Sequence, residues 1–210
     1  MYEIAIVAFT TFFATIGPID VAVMFAAMTP KATPEFRRVM AVRGTLVSGM
    51  ILFVFAFAGD VLLRSLGISL AALKVSGGIL LLLIGIDMVF ARHSGGTSTT
   101  AIETNEAAGK QDISIVPLAT PLIAGPGAMG AAVLLMANVK GQLMQETAVV
   151  LALLVVLLLT LVLLLVATRV QSFFGVTGMQ VVSRVFGVLL TALAVQFMFD
   201  GLLLSGLIPH

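Results

Sequence analysis

The sequence predicts an all-α polytopic membrane protein: six transmembrane helices arranged as two inverted three-helix repeats, with the first and fourth helices broken. Three observations predict it. The 210 residues are 60% hydrophobic and only 10% charged, where a soluble domain carries roughly a quarter charged residues. The apolar residues fall in continuous runs long enough to cross a bilayer, not in the alternation of a barrel strand. Two Gly-Pro interruptions, Gly17-Pro18 and Gly125-Pro126, stand 108 positions apart inside such runs.

Six apolar segments follow one another: 4–28, 42–64, 69–91, 113–138, 147–169 and 181–206. Each has the ~20 residues that a spanning helix needs. The first follows Met1-Tyr2-Glu3, which lacks the basic leader of a signal peptide, so it is expected to stay as a span. It is interrupted at Gly17-Pro18. The second and third run unbroken, and Gly77, Gly78 and Gly85 in the third are read as points of close helix packing. Residues 93–112 are rich in Gly, Ser and Thr and read as a flexible cytoplasmic linker between residues 1–92, the first repeat, and 113–210, the second. The fourth segment cannot be one straight helix. Its stretch 117–130 carries Pro117, Pro121 and Pro126 with Gly125, Gly127 and Gly130. Each proline removes a backbone donor and clashes with the preceding turn, and each glycine adds roughly 1 kcal/mol of helix cost. The fifth and sixth segments run on as plain apolar spans.

Basic residues set the orientation. Lys31, Arg37, Arg38, Arg43, Arg92, Lys110 and Arg169 fall in one set of connections, against Arg64 and Lys140 in the other. The richer side is expected in the cytoplasm, with both termini outside. Three landmarks recur in order: Gly17-Pro18 with Gly125-Pro126, Gly67-Ile68-Ser69 with Gly175-Val176-Thr177, and Lys74-Val75-Ser76-Gly77 with Arg184-Val185-Phe186-Gly187, at offsets of 108, 108 and 110. Three spans per half is an odd number, so the second half would insert inverted. Secondary transporters built this way hold substrate at broken helices near the midplane.

The chemistry is expected at the two breaks. Pro is favoured as the first residue of a helix, so Gly17 and Gly125 read as hinge or cap positions, with Pro18 and Pro126 opening second half-helices. The N–H groups of Ile19, Asp20 and Val21, and of Gly127, Ala128 and Met129, would then lack helical acceptors. In hydrocarbon such groups must be met by protein, water or ligand, and the positive end of the helix dipole suits a carboxylate. The competing reading is a proline kink satisfied by neighbouring helices. Asp20 reads either as a proton or substrate-ammonium site or as an acid complementing its own helix dipole. The hydroxyls of Thr10, Thr11, Thr15 and Thr120 could satisfy opened backbone or line a polar cavity. Lys74 and Arg184 are expected to snorkel at span ends, with Asp87 and Asp200 as counterparts at the interface and Asp60 near another span end. Gln196 is read as an interhelical hydrogen-bonding group.

Several classes are excluded. Net charge is +1 and no basic field suggests nucleic acid. There is no cysteine, hence no disulfide, thiolate metal site or cysteine nucleophile. The string Gly125-Pro126-Gly127-Ala128-Met129-Gly130 fits a dinucleotide fingerprint only literally, because no strand precedes it. His93 and His210 sit in polar or terminal positions, and no paired carboxylates appear. No enzyme, metal or cofactor is expected.

Residues 116–127, Val-Pro-Leu-Ala-Thr-Pro-Leu-Ile-Ala-Gly-Pro-Gly, resemble the signature of the MarC family of bacterial inner-membrane proteins. So do the stretches from Gly67 through Lys74 to Ile79, and from Val182 through Arg184 and Gly187 to Gln196 and Gly201. The resemblance covers nearly the whole chain. It implies a multi-pass inner-membrane protein, and SnatA-type members imply transport of a small neutral amino acid. Members commonly carry Asn-Pro at the first break, where this chain has Gly17-Pro18, so a side-chain amide is missing there. The expected function is a secondary transporter or exporter of a small zwitterion by alternating access, coupled to protons by analogy. Its substrate site would comprise Gly17, Pro18, Ile19, Asp20, Thr120, Gly125, Pro126, Gly127 and Ala128. The partners are the lipid bilayer and the small-molecule substrate, with a homo-oligomer left open. The alternatives are a non-transporting structural or assembly protein and, further off, a drug-efflux component, which a low aromatic content disfavours.

Overall fold

The computed structural model describes residues 2–29, 32–90 and 112–206. They form helices α1 (Tyr2–Ile16), α2 (Pro18–Met28), α3 (Pro34–Ser65), α4 (Leu70–Val89), α5 (Ser114–Ile123), α6 (Pro126–Asn138), α7 (Leu143–Leu165) and α8 (Ala167–Leu204). No strand occurs among the described residues. By length and composition Tyr2–Ala26, Pro34–Gly59, Leu70–Val89, Leu143–Leu165 and Arg184–Leu204 can each cross a membrane, and the bent pair α5–α6 makes a sixth crossing. The linker 93–112 lies outside the described residues apart from Asp112, as do Lys31, Arg92, His93, Lys110 and His210.

Helices extend past the apolar runs that announced them. α3 starts at Pro34 rather than at 42, so Arg37, Arg38 and Arg43 are on a helix and not in a connection. Thr33 accounts for this: its hydroxyl accepts the Phe36 N–H at 3.3 Å, a side-chain cap on the first turn, and arginine is a good helix former. The Arg37 guanidinium reaches back and donates to Thr29 O through Nε at 2.9 Å and through Nη2, closing the C-terminus of α2. α7 starts at Leu143, and only Val166 separates it from α8. The connection expected between the fifth and sixth spans is therefore helical backbone. Hydropathy marks where a helix is apolar, not where it ends.

α6 forms the centre of the bundle. Gly127, Ala128 and every residue from Ala131 to Ala137 are buried. Such all-round burial belongs to a helix surrounded by others, and α3, α4, α1 and α7 all pack on it. Small residues let those neighbours close in. A Cβ on Gly59 would lie 2.7 Å from Val133, and one on Gly77 3.1 Å from Leu134.

α4 and α8 form the most extensive helix pair. They run antiparallel and touch through glycine. A Cβ on Gly78 would meet Ala194 O at 2.7 Å and Met198 Cγ at 2.6 Å, and one on Gly187 would meet Gly85 O at 2.9 Å and Met88 Cβ at 2.8 Å. Gly85 itself faces Thr191, and Gly201 faces the Ala71 carbonyl. The expected packing role of Gly78 and Gly85 is thus met on α8, while Gly77 meets α6 instead. α1 and α2 cover α7 and α8, and Phe13 of α1 stacks on Phe186 of α8 with ring centroids 4.2 Å apart.

Candidate functional site

The two breaks differ in kind. At the second, the chain bends by 54° between α5 and α6. The residue before a proline avoids the helical region, and Val116 (φ −126, ψ 119) and Thr120 (φ −132, ψ 131) are both extended inside α5. The peptides preceding Pro117 and Pro121 are cis. Wide turns carry the chain past each proline: Leu118 N–H donates to Ile113 O at 3.1 Å, and Ala124 N–H donates to Ala119 O at 2.9 Å.

α3 braces this irregular segment. The Ser48 hydroxyl donates to Gly44 O at 2.7 Å and also lies 3.3 Å from Ala119 O, the acceptor of the last wide turn. Gly44 permits the approach, because a Cβ there would fall 2.6 Å from Leu118 and 3.0 Å from Ser114 O.

At the bend itself, Gly125 is extended (φ −81, ψ 169), Pro126 occupies the first turn of α6, and no side chain caps the helix. The first donor of α6 with an acceptor outside the helix is Met129, to Gly125 O at 3.0 Å. Between Ala124 and Met129 stand a proline nitrogen and the N–H groups of Gly125, Gly127 and Ala128. Among the described residues these three have no partner in the hydrogen bonds that cross the bend. Gly125, Gly127 and Ala128 are buried, Thr120 is half-buried and Pro126 is exposed. The arrangement is a set of buried donors at the positive end of a helix, and it suits an anionic oxygen.

The first break is gentler. Gly17 takes the left-handed conformation (φ 60, ψ 59) with Pro18 opening α2. Gly17 N–H donates to Phe13 O at 3.0 Å, and Val21 N–H donates to Gly17 O at 2.9 Å, so hydrogen bonds continue on both sides. Tyr2–Ala26 remains one span, without the sharp bend of the second break. A single proline following a left-handed residue interrupts the helix; three prolines at spacings of four and five residues fold it. The Asp20 carboxylate turns back over this joint, with Oδ2 3.4 Å from the position of a Gly17 Cβ.

The predicted site residues fall into two groups. Thr120, Gly125, Pro126, Gly127 and Ala128 lie together at the second bend; Gly17, Pro18, Ile19 and Asp20 lie at the first. α2 touches α5, but its main packing is on α8 and α7, whereas α6 packs on α3, α4 and α1. The two helix starts are neighbours through α5 and do not form one extended contact.

Other polar groups depart from expectation. Thr15 donates to Thr11 O at 2.8 Å within its own helix. The hydroxyls of Thr11 and Thr45 are buried without a hydrogen-bond partner, which marks them as candidates for an unseen water or solute. Thr45 and Ser48 are additions from α3 that the sequence did not single out; their signal was polarity inside a span. Lys74 does not snorkel. It is 5% exposed, because Gly201 brings α8 to within 3.0 Å of where its own Cβ would touch Lys74 Cβ. Lys74 Nζ lies 4.0 Å from Asp200 Oδ2, and Gln196 Nε2 donates to Asp200 Oδ1 at 2.8 Å, so Gln196 bonds along its own helix instead of across. Arg184 is exposed. The side chain of Asp60 lies outside the described ones.

The family model for MarC family integral membrane proteins matches residues 2–205. A UPF0056 membrane protein of Methanocaldococcus jannaschii is 36% identical over 94% of this chain and 95% of its own length. The UPF0056 membrane protein YvbG of Bacillus subtilis is 30% identical over 100% of this chain and 98% of its own. The UPF0056 inner membrane protein YhgN of Escherichia coli is 32% identical over 85% of this chain and 86% of its own. No solved structure matches.

Proposed function

The chain belongs to the MarC family of integral membrane proteins, and from that premise we propose that it is an inner-membrane secondary transporter of a small zwitterionic solute, a small neutral amino acid, working by alternating access. One observation carries the reading: the uncapped start of α6 at the core of the bundle, where Gly125, Gly127 and Ala128 leave N–H groups without backbone acceptors across a 54° bend. Non-helical backbone at membrane depth is tolerated where protein buries it or a cavity needs it, and discontinuous helices of this kind hold substrate carboxylates in inverted-repeat transporters. α6 is also nearly all small or slender residues near that start, which leaves room for a small solute and none for a large one.

The inverted repeat is supported by the reciprocity of α4 and α8. Gly78 abuts a carbonyl and a methionine of α8, and Gly187 abuts a carbonyl and a methionine of α4. The offsets between these equivalent contacts, 109 from Gly78 to Gly187 and 110 from Met88 to Met198, agree with the spacing of the sequence landmarks. The inner membrane is proposed from the printed name of the Escherichia coli relative, and termini on the outer face from the distribution of Lys and Arg. Asp20, turned over its own helix start, acts first as a dipole complement on this reading.

Vesicles reconstituted with the purified protein test it. Saturable flux of labelled glycine, alanine, serine or threonine, lost in Gly127→Leu while the protein stays folded, is the expected result. Absence of saturable flux for all four, or full flux in a folded Gly127→Leu protein, would refute the site and leave the Gly-Pro joints as packing devices.

A further inference from the structure

Two ion pairs tie the first three-span half to the second, and they sit at opposite ends of the bundle. Lys74 of α4 pairs with Asp200 of α8 at 4.0 Å, one turn from where α4 begins and α8 ends. Arg43 of α3 pairs with Asp112, which leads into α5, at 2.9 Å, near where α3 begins. A short connection joins the end of α3 to the start of α4, so the two pairs are separated by the length of a span. Their surroundings differ. The side chain of Lys74 is 6% exposed and that of Asp200 36%, whereas Arg43 and Asp112 are 53% and 44% exposed.

We propose that these pairs are latches at the two mouths of the transporter, and that the buried Lys74–Asp200 latch is the stronger, so that the resting protein opens preferentially at the Arg43–Asp112 end. The proposal rests on the alternating-access reading above. A solvated pair is screened and opens at little cost. Parting Lys74 from Asp200 strands a cation among apolar helices, which is far more costly than parting charges in water. Gln196 holds the Asp200 carboxylate from its own helix, so Asp200 travels with α8 and cannot follow Lys74 when α4 moves. Close packing through Gly78 and Gly201 surrounds the same pair, so this end parts only when both helices separate.

The absence of native cysteine makes the test direct. Gly130 is half-buried on α6, one turn beyond the bend, and nothing lies within 4 Å of a Cβ placed there, so Gly130→Cys is a single thiol that the fold accommodates. The protein is reconstituted in vesicles of known orientation, and a membrane-impermeant maleimide is added to one face at a time. Asp200→Asn or Lys74→Met is expected to raise labelling from the face where α4 begins by about 5- to 150-fold, the span of typical coupling between sites. Arg43→Gln or Asp112→Asn is expected to raise labelling from the opposite face by a smaller factor. If Lys74→Met does not fold, Asp200→Asn, which keeps the side-chain volume, decides. Labelling rates unchanged from both faces in folded variants would overturn the proposal. Labelling needs no substrate, so the two readings separate: shifted labelling without amino acid flux refutes transport and keeps the latches, and flux with unshifted labelling does the reverse.

Discussion

Ile84 of α4 occupies the space that Gly127 of α6 leaves open: a Cβ on Gly127 would lie 2.4 Å from Ile84 Cδ1, with the next Ile84 atom at 3.7 Å. The contact is with the tip of a side chain and not with backbone. Gly127→Ala is therefore expected to destabilise by about 1–3 kcal/mol as an overpacked core site, and Ile84→Val, which deletes the offending methyl, should recover most of that loss in the double variant. Thermal unfolding of the four proteins in detergent reads the coupling. Additive single effects would show that Ile84 does not police this helix start.

The glycines between α4 and α8 face backbone, which cannot yield in the same way. A Cβ on Gly78 meets Ala194 O at 2.7 Å, and one on Gly187 meets Gly85 O at 2.9 Å. Alanine at either position should force the helices apart and lower stability more than Gly127→Ala does, with no side-chain deletion able to rescue it. Gly130 is the internal control. It lies in a helix with open space around it, so Gly130→Ala should be neutral or stabilising by up to about 1 kcal/mol. Equal effects at all three positions would contradict the packing described.

Acid should act on the bundle through Asp112. The Ser114 side chain, which faces the carboxylate outside hydrogen-bond geometry, the Ser114 N–H at 2.9 Å and the Arg43 guanidinium together hold its carboxyl below the ordinary value of 3.8, against a small opposing effect of burial. A carboxyl depressed on folding contributes stability above its unfolded value and loses it as pH falls through the folded one. The contribution belongs to an exposed pair and is modest. Asp112→Asn should lower the unfolding temperature slightly at neutral pH and leave it unchanged at a pH well below 3.8, where the wild-type carboxyl is itself protonated. An effect of the substitution that persists undiminished at the acid end would rule out the charge as its source.

Much of this architecture was legible in residue types. Continuous apolar runs gave six crossings, and three prolines in ten residues gave the bend between α5 and α6, because a missing N–H is a local fact that no tertiary context restores. Lys74 was misread because its burial depends on Gly201, 127 positions away, and nothing in the α4 sequence reports how closely α8 approaches. Ser48 and Thr45 escaped notice for a related reason: a hydroxyl inside a span has meaning only through the carbonyl opposite, and Ala119 lies 71 residues further along. The helical continuation from Ala167 was hidden because polar residues end an apolar run without ending a helix.

Gly17 links the sequence departure to a conformational test. Its φ of +60° is the left-handed region, where a Cβ costs roughly 1–2 kcal/mol and where Asn is the side chain that most readily follows Gly. Gly here, and the Asn-Pro expected from the family resemblance, are therefore equivalent solutions for the backbone, whatever the amide adds for a ligand. Gly17→Ala should cost about 1–2 kcal/mol, while Gly17→Asn should cost clearly less, with the Asp20 carboxylate 3.4 Å from the new Cβ as its neighbour. Denaturant or thermal unfolding of both variants ranks them. If Asn proves as costly as Ala, the left-handed joint is not what selects the residue at this position. If Asn is tolerated and raises amino acid flux over the Gly protein, the amide contributes to the site beyond its conformational role.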